Sequence, residues 1–201
     1  MKTLVVSYSL TGNNETLARR IAASLRIEHV RITESAERTN GTIFKDLILS
    51  RTPKVDFPLA ENEEPDTVIF VGPVWVGSVA TPFRASFKRL RKSVKTYAFV
   101  SISGGADGPN PKLAGDLKKR MRKEPAAVID LHIADLLPSD PAPTRESTGL
   151  YRLDEEMAGK LAENAAAILR QRLGDETPDT RVPGAESSTA GHPEGAHHVI
   201  R

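Results

Sequence analysis

The chain has 201 residues, no cysteine, 39% hydrophobic and 27% charged residues, and a formal charge of +2. This is the composition of a globular protein of about one to one and a half domains, large enough to bury a core without staples. Disulfides, thiolate catalysis and Cys-ligated zinc or iron–sulfur centres are excluded, and the charge is too small to indicate nucleic-acid binding.

The amino-terminal apolar run turns polar at Ser7, too soon for a signal-peptide core. No run reaches the roughly 18–20 apolar residues of a membrane helix, so a cytoplasmic protein without membrane contact is expected. Residues 3–7 (TLVVS) predict a buried strand. Residues 15–25 place Leu17, Ile21 and Leu25 at helical spacing. A weaker strand follows over 28–32 and a short helix over 42–50. Residues 67–71 (TVIFV) form the second strong strand, followed by a helix over 81–90 with Pro82 in its first turn. Residues 96–102 (TYAFVSI) form the third strong strand, with a helix over 112–123, a strand over 127–133 and a long Ala-rich helix over 153–173.

Strands alternating with helices predict an α/β fold with right-handed crossovers and a parallel sheet covered on both faces. One domain is expected over 1–173. From 174 to 201 the sequence is rich in Gly, Pro, Ser, Thr and charge, with little to bury, and is expected to be a disordered tail. Five acids against Arg181 and Arg201 give this tail −3, which leaves +5 on residues 1–173.

Ligands of open parallel sheets bind beyond the carboxyl ends of the strands. Three loops there carry the candidate chemistry. The first, after residue 7, offers hydroxyls on Ser9 and Thr11, and Gly12 for close backbone approach to an anion. Asn13 and Asn14 are expected to cap the following helix while its first amides face the ligand. The loop has no Lys or Arg, so a phosphate there would be held by neutral donors, which suits a resident ligand rather than phosphoryl transfer. The second loop holds Pro73, Val74, Trp75, Val76 and Gly77, with the only tryptophan of the chain. The third holds Ser103, Gly104, Gly105, Asp107 and Gly108.

The segment SYSLTGNNETLA after its strand resembles the phosphate loop of the flavodoxin family, roughly Ser/Thr-x-Thr-Gly-x-Thr. Ser9, Thr11, Gly12 and Asn13 match, whereas Asn14 stands where the family usually has Thr, an amide in place of a hydroxyl donor. GPVWVGSVATPFRASFKRL is similar to the second flavin loop and its helix, and SISGGADGPN to the third loop. The likeness covers residues 1–173.

It implies a flavodoxin-like three-layer α/β/α sandwich with a five-stranded parallel sheet of order 2-1-3-4-5, and FMN as cofactor. Trp75 is then expected to stack on the ring, with Gly77 near the flavin N5. The amides of the third loop would meet the pyrimidine oxygens, with Asp107 on N3 or in a turn with Gly108.

Two features depart from the electron-shuttling members. The third loop lacks an aromatic between positions 101 and 113, and residues 1–173 are basic rather than acidic. An open ring face and no acidic docking surface together imply an oxidoreductase that passes hydride or electrons from NAD(P)H to a quinone or similar acceptor. A flavodoxin-type one-electron carrier served by a redox partner protein is the alternative. A homodimer stays open, a second copy being one source of the absent aromatic. Among the basic residues, Arg84 is the expected contact for a nucleotide phosphate, and the cations near the helix ends are a solvated face. A phosphorylatable receiver needs acids where Ser7, Tyr8, Ser9, Gly72 and Pro73 stand. No metal-ligand set and no acid–base catalyst is expected, because a flavin carries its own chemistry.

Overall fold

The computed structural model describes residues 2–34, 52–60 and 64–174. The helix expected over 42–50 and the tail beyond 174 lie outside the described residues. In chain order the elements are β1 (Thr3–Ser7), α1 (Asn13–Leu25), β2 (Glu28–Arg31), β3 (Thr33–Glu34), β4 (Val55–Asp56) and β5 (Thr67–Val71). There follow β6 (Val74–Trp75), β7 (Ser78–Val79), α2 (Phe83–Leu90), β8 (Thr96–Ser103) and α3 (Leu113–Met121). The chain continues through β9 (Ala127–His132), a 3₁₀ turn (Ile133–Leu136), α4 (Arg145–Leu150) and α5 (Glu155–Leu173).

Five strands form one parallel sheet in the order β2-β1-β5-β8-β9. Counting only these strands, the order is 2-1-3-4-5, as expected. Short antiparallel pairs, β3 with β4 and β6 with β7, stand outside it.

The strand pleat sends alternate residues to opposite faces, and the two faces are chemically different. One receives Leu4, Val6, Phe70, Tyr97 and Phe99, packed under Phe83, Phe87 and Leu90 of α2 and Leu117 and Met121 of α3. The other receives Val5, Ile69, Val71, Ala98 and Val100 under α1 and α5. Those two helices meet through Ala18, Ala22, Ala158, Ala162, Ala165 and Ala166, all buried, whose small side chains allow close approach.

The aromatic face continues upward as edge-to-face pairs. Phe70 meets Phe83 at 5.9 Å, Phe83 meets Tyr8 at 6.4 Å, and Tyr8 meets Trp75 at 5.9 Å. Such pairs contribute about 0.5–1.5 kcal/mol each beyond burial. The core thereby fixes the one tryptophan at the carboxyl edge of the sheet.

At the sheet edge, Ser7 Oγ lies 2.7 Å from His29 Nε2, joining β1 to β2. Burial, above all, pushes the His29 imidazole below its ordinary value, a shift Glu15 opposes and Arg19 and Arg31 add to, and so favours the neutral ring. No helix among the described residues is long and apolar enough to cross a membrane.

Candidate functional site

A cavity of about 580 Å³ opens where the loops after β1, β5 and β8 converge. That is within the usual size of small-molecule and cofactor sites. Its lining includes Thr11 and Asn14 of the first loop and Pro73, Val74, Trp75, Val76 and Gly77 of the second. Ser103, Gly104, Gly105, Asp107 and Gly108 of the third also line it. Ser9, Gly12 and Asn13 do not line it and instead shape the loop.

In the first loop, the Gly12 amide donates to Ser9 Oγ at 3.0 Å, and Gly12 takes φ +93°, a left-handed conformation suited to glycine. Thr16 is the first amide to bond back into α1, to the Gly12 carbonyl at 2.9 Å. The amides of residues 13–15 therefore stand outside the helical ladder at its positive end, the arrangement that attracts anions.

The asparagines correct the sequence expectation. Gly12 is the N-cap and no side chain caps α1. Asn14, 3% exposed, donates from Nδ2 to the Ile102 carbonyl at 2.8 Å and accepts the Ile102 amide on Oδ1 at 3.0 Å. Asn13 donates to the Tyr151 carbonyl at 3.1 Å and accepts the Leu153 amide at 2.9 Å. Each amide side chain mimics a strand neighbour, because its C=O and NH₂ match the spacing of a peptide's N–H and C=O. One ties the first loop to β8, the other ties it to the segment entering α5. Asn14 is a clamp rather than a substitute hydroxyl.

The second loop is a hairpin. Val76 and Gly77 take φ +50° and +72°, the sign pattern of a type I′ turn. The Val74 amide donates to Ser103 Oγ at 3.0 Å and the Val79 amide to Asp116 Oδ2 at 3.1 Å, which pins both hairpin strands. Val76 is a β-branched residue held left-handed at 88% exposure, a strained choice. Val76→Gly is expected to raise the unfolding free energy in urea by about 1 kcal/mol. If the valine methyls cover the ligand, affinity falls as stability rises, and ligand titration of the same variant reads this out.

The third loop turns tightly, the Gly108 amide donating to the Gly105 carbonyl at 2.9 Å. Behind it, Asp130 of β9 is bonded by Ser101 Oγ, by Asn110 Nδ2 at 2.9 Å and by His132 Nε2 at 3.1 Å. His132 thus supports the loop from below. Asp107 carries Arg145 of α4, whose Nε reaches Oδ2 at 3.0 Å and whose Nη2 reaches Oδ1 at 3.0 Å.

Sequence reasoning missed α4, which supplies Arg145, Thr148 and Gly149 to the cavity wall. Its signal is faint, six residues opened by Thr144, whose Oγ1 accepts the Ser147 amide at 3.1 Å. Arg84, the expected phosphate contact, does not line the cavity. Among the described residues no group of three His, Cys, Asp or Glu side chains could hold a metal.

Neither the protein-family models nor the curated proteins match this sequence. Solved structures do. A flavoprotein from Lactobacillus acidophilus in complex with FMN superposes with TM-score 0.56 at 17% identity, over 64% of this chain and 92% of that one. Two proteins assigned to the flavoproteins, from Bacteroides uniformis and Bacteroides eggerthii, give TM-scores of 0.57 and 0.56 at 15% and 18% identity. They match 81% and 82% of this chain, and 97% and 98% of theirs. The chain has the flavodoxin-like fold. At these identities the likeness is one of architecture, and the flavodoxin-like cavity must be read from its own residues.

Those residues fit FMN in three respects. The α1 terminus reaches the cavity at Asn14 and leaves the amides of residues 13–15 outside the helical ladder for a phosphate, and Trp75 lines the cavity with an indole for a ring. Glycine and serine backbone of the third loop, also in the lining, offers amides for a pyrimidine edge.

Proposed function

We propose that this flavodoxin-like chain binds FMN and takes hydride from NAD(P)H, passing the electrons to a quinone or similar small acceptor. The observation that carries the reading is the convergence of all three loops on one cavity, with Trp75 on its wall and Asn14 of the α1 terminus in its lining. Bound FMN would supply the redox chemistry itself. The chain's part is to hold, orient and shield.

Thr11 Oγ1 and the amides of residues 13–15 would take the phosphate through neutral donors. The Trp75 indole, already braced by Tyr8, would cover one ring face. Tyr8 in turn donates to Glu34 Oε2 at 2.7 Å, so the brace does not rotate freely. The part of the wall formed by Gly104, Gly105, Thr148 and Gly149 has no aromatic ring. Space beside that wall suits a nicotinamide stacking on the second face. The basic balance of residues 1–173 also argues against docking a basic electron-transfer partner.

Anaerobic mixing of the FMN-loaded protein with NADH and with NADPH tests the reading. Bleaching of the yellow colour by at least one of them, followed by reoxidation with a quinone, is the expected result. A flavin that stays oxidised with both, yet is reduced by an electron-transfer protein, would replace the reductase by a one-electron carrier.

A further inference from the structure

Among the described residues that line the cavity, only Asp107 and Arg145 are charged, and they are bonded to each other at its rim. We propose that Arg145 is the receptor for a phosphate of the nicotinamide donor, and that Asp107 holds its guanidinium ready until the donor arrives. The assignment rests on the reductase reading above and adds to it the group that selects the substrate.

Arg145 opens α4, where a cation opposes the helix dipole, so helix stability does not explain it. The helix itself is held in place independently of that residue. Thr144 and Ser147 form a reciprocal capping box, and the Thr148 hydroxyl donates to the Thr144 carbonyl at 2.9 Å. Thr148 also sits so close to Gly104 that a Cβ there would lie 3.0 Å from its Oγ1. A fixed helix therefore carries a long cationic side chain to the wall that lacks an aromatic ring.

The ion pair is well formed but shallow, with side chains 83% and 71% exposed. Pairs of this exposure contribute little to stability and exchange readily. A phosphate offers the same fork two oxygens and more charge than a carboxylate. Nη1 makes no bond to a described residue and is available to it without breaking the pair completely. The phosphate in question is either the diphosphate common to NADH and NADPH or the 2′-phosphate of NADPH alone.

The test uses the FMN-loaded protein, wild type against Arg145→Gln and Asp107→Asn. Arg145→Gln is expected to keep its FMN, since no first-loop contact changes, and to show a KM for the donor about tenfold higher with kcat little altered. Calorimetric titration with NADP⁺ and with NAD⁺ should show the same loss without turnover. Weakening toward both nucleotides assigns the diphosphate, and weakening toward NADP⁺ alone assigns the 2′-phosphate. Asp107→Asn leaves the guanidinium unheld and should raise the KM for the donor, by less than Arg145→Gln does. A wild type that is reduced by NAD(P)H, with Arg145→Gln matching it in KM and in calorimetry, would overturn the role of Arg145 alone. A wild type inert to both donors would overturn the reductase reading as well.

Discussion

Replacing Gly105 with alanine is expected to abolish FMN retention and to lower the unfolding free energy by about 2–5 kcal/mol. Two costs add. Gly105 has φ +75°, where an L side chain is strained by about 1–2 kcal/mol. A Cβ there would also lie 2.3 Å from His132 Cβ and 2.6 Å from its Cγ. His132 cannot step back easily, because it ends β9 and bonds Asp130, which Ser101 and Asn110 also bond. The loop must move instead. Its anchor, the bond from the Ala134 amide to the Gly104 carbonyl at 3.0 Å, would go with it. Gly108→Ala is the control, with φ +88° but open space around its Cβ, and should cost only the backbone strain. Urea unfolding and FMN fluorescence on both variants check this. Equal losses would mean that contact with His132 is irrelevant to the loop.

The second large effect falls on Asn14. Asn14→Ala removes two buried hydrogen bonds and leaves the amide and carbonyl of Ile102 without them. Orphaned buried groups cost about 1–3 kcal/mol each, so a loss of roughly 2–6 kcal/mol is expected by urea unfolding. FMN affinity should fall too, because the clamp is what sets the first loop against β8. Asn14→Asp separates clamp from charge. The carboxylate still accepts the Ile102 amide but faces the Ile102 carbonyl and places a negative charge beside the proposed phosphate site. It should weaken FMN more than riboflavin, whereas Asn14→Ala should weaken both. Equal loss of the two ligands in Asn14→Asp would place the phosphate elsewhere.

Much of the architecture was legible because buried parallel strands write themselves as apolar runs. β1 and β5 begin and end where TLVVS and TVIFV do, and β8 runs one residue further, to Ser103. α1 starts two residues before its periodic stretch, at Asn13, whereas α2, α3 and α5 start later than periodicity implied. α2 begins at Phe83 rather than Thr81, and α3 spans Leu113–Met121. α1 and α3 end at the φ-positive residues Arg26 and Arg122, which the hydrophobic pattern does not encode. The β6–β7 hairpin was missed because two-residue strands have no period and its turn is Val76-Gly77 rather than Asn-Gly. The strand–loop pattern located the cavity wall from the three loops. It could not show Arg145, which reaches the site from a separate six-residue helix. Nor could it show that Asn13 and Asn14 face backbone partners over 80 positions away.

Titration of the flavin-stripped protein with FMN and, separately, with riboflavin tests the central proposal most directly, with Trp75 as the sole tryptophan reporter. Stoichiometric FMN binding that quenches both the flavin and Trp75, with riboflavin bound far more weakly, is the predicted result. FMN that does not bind, or that binds no better than riboflavin and leaves Trp75 emission unchanged, would contradict it.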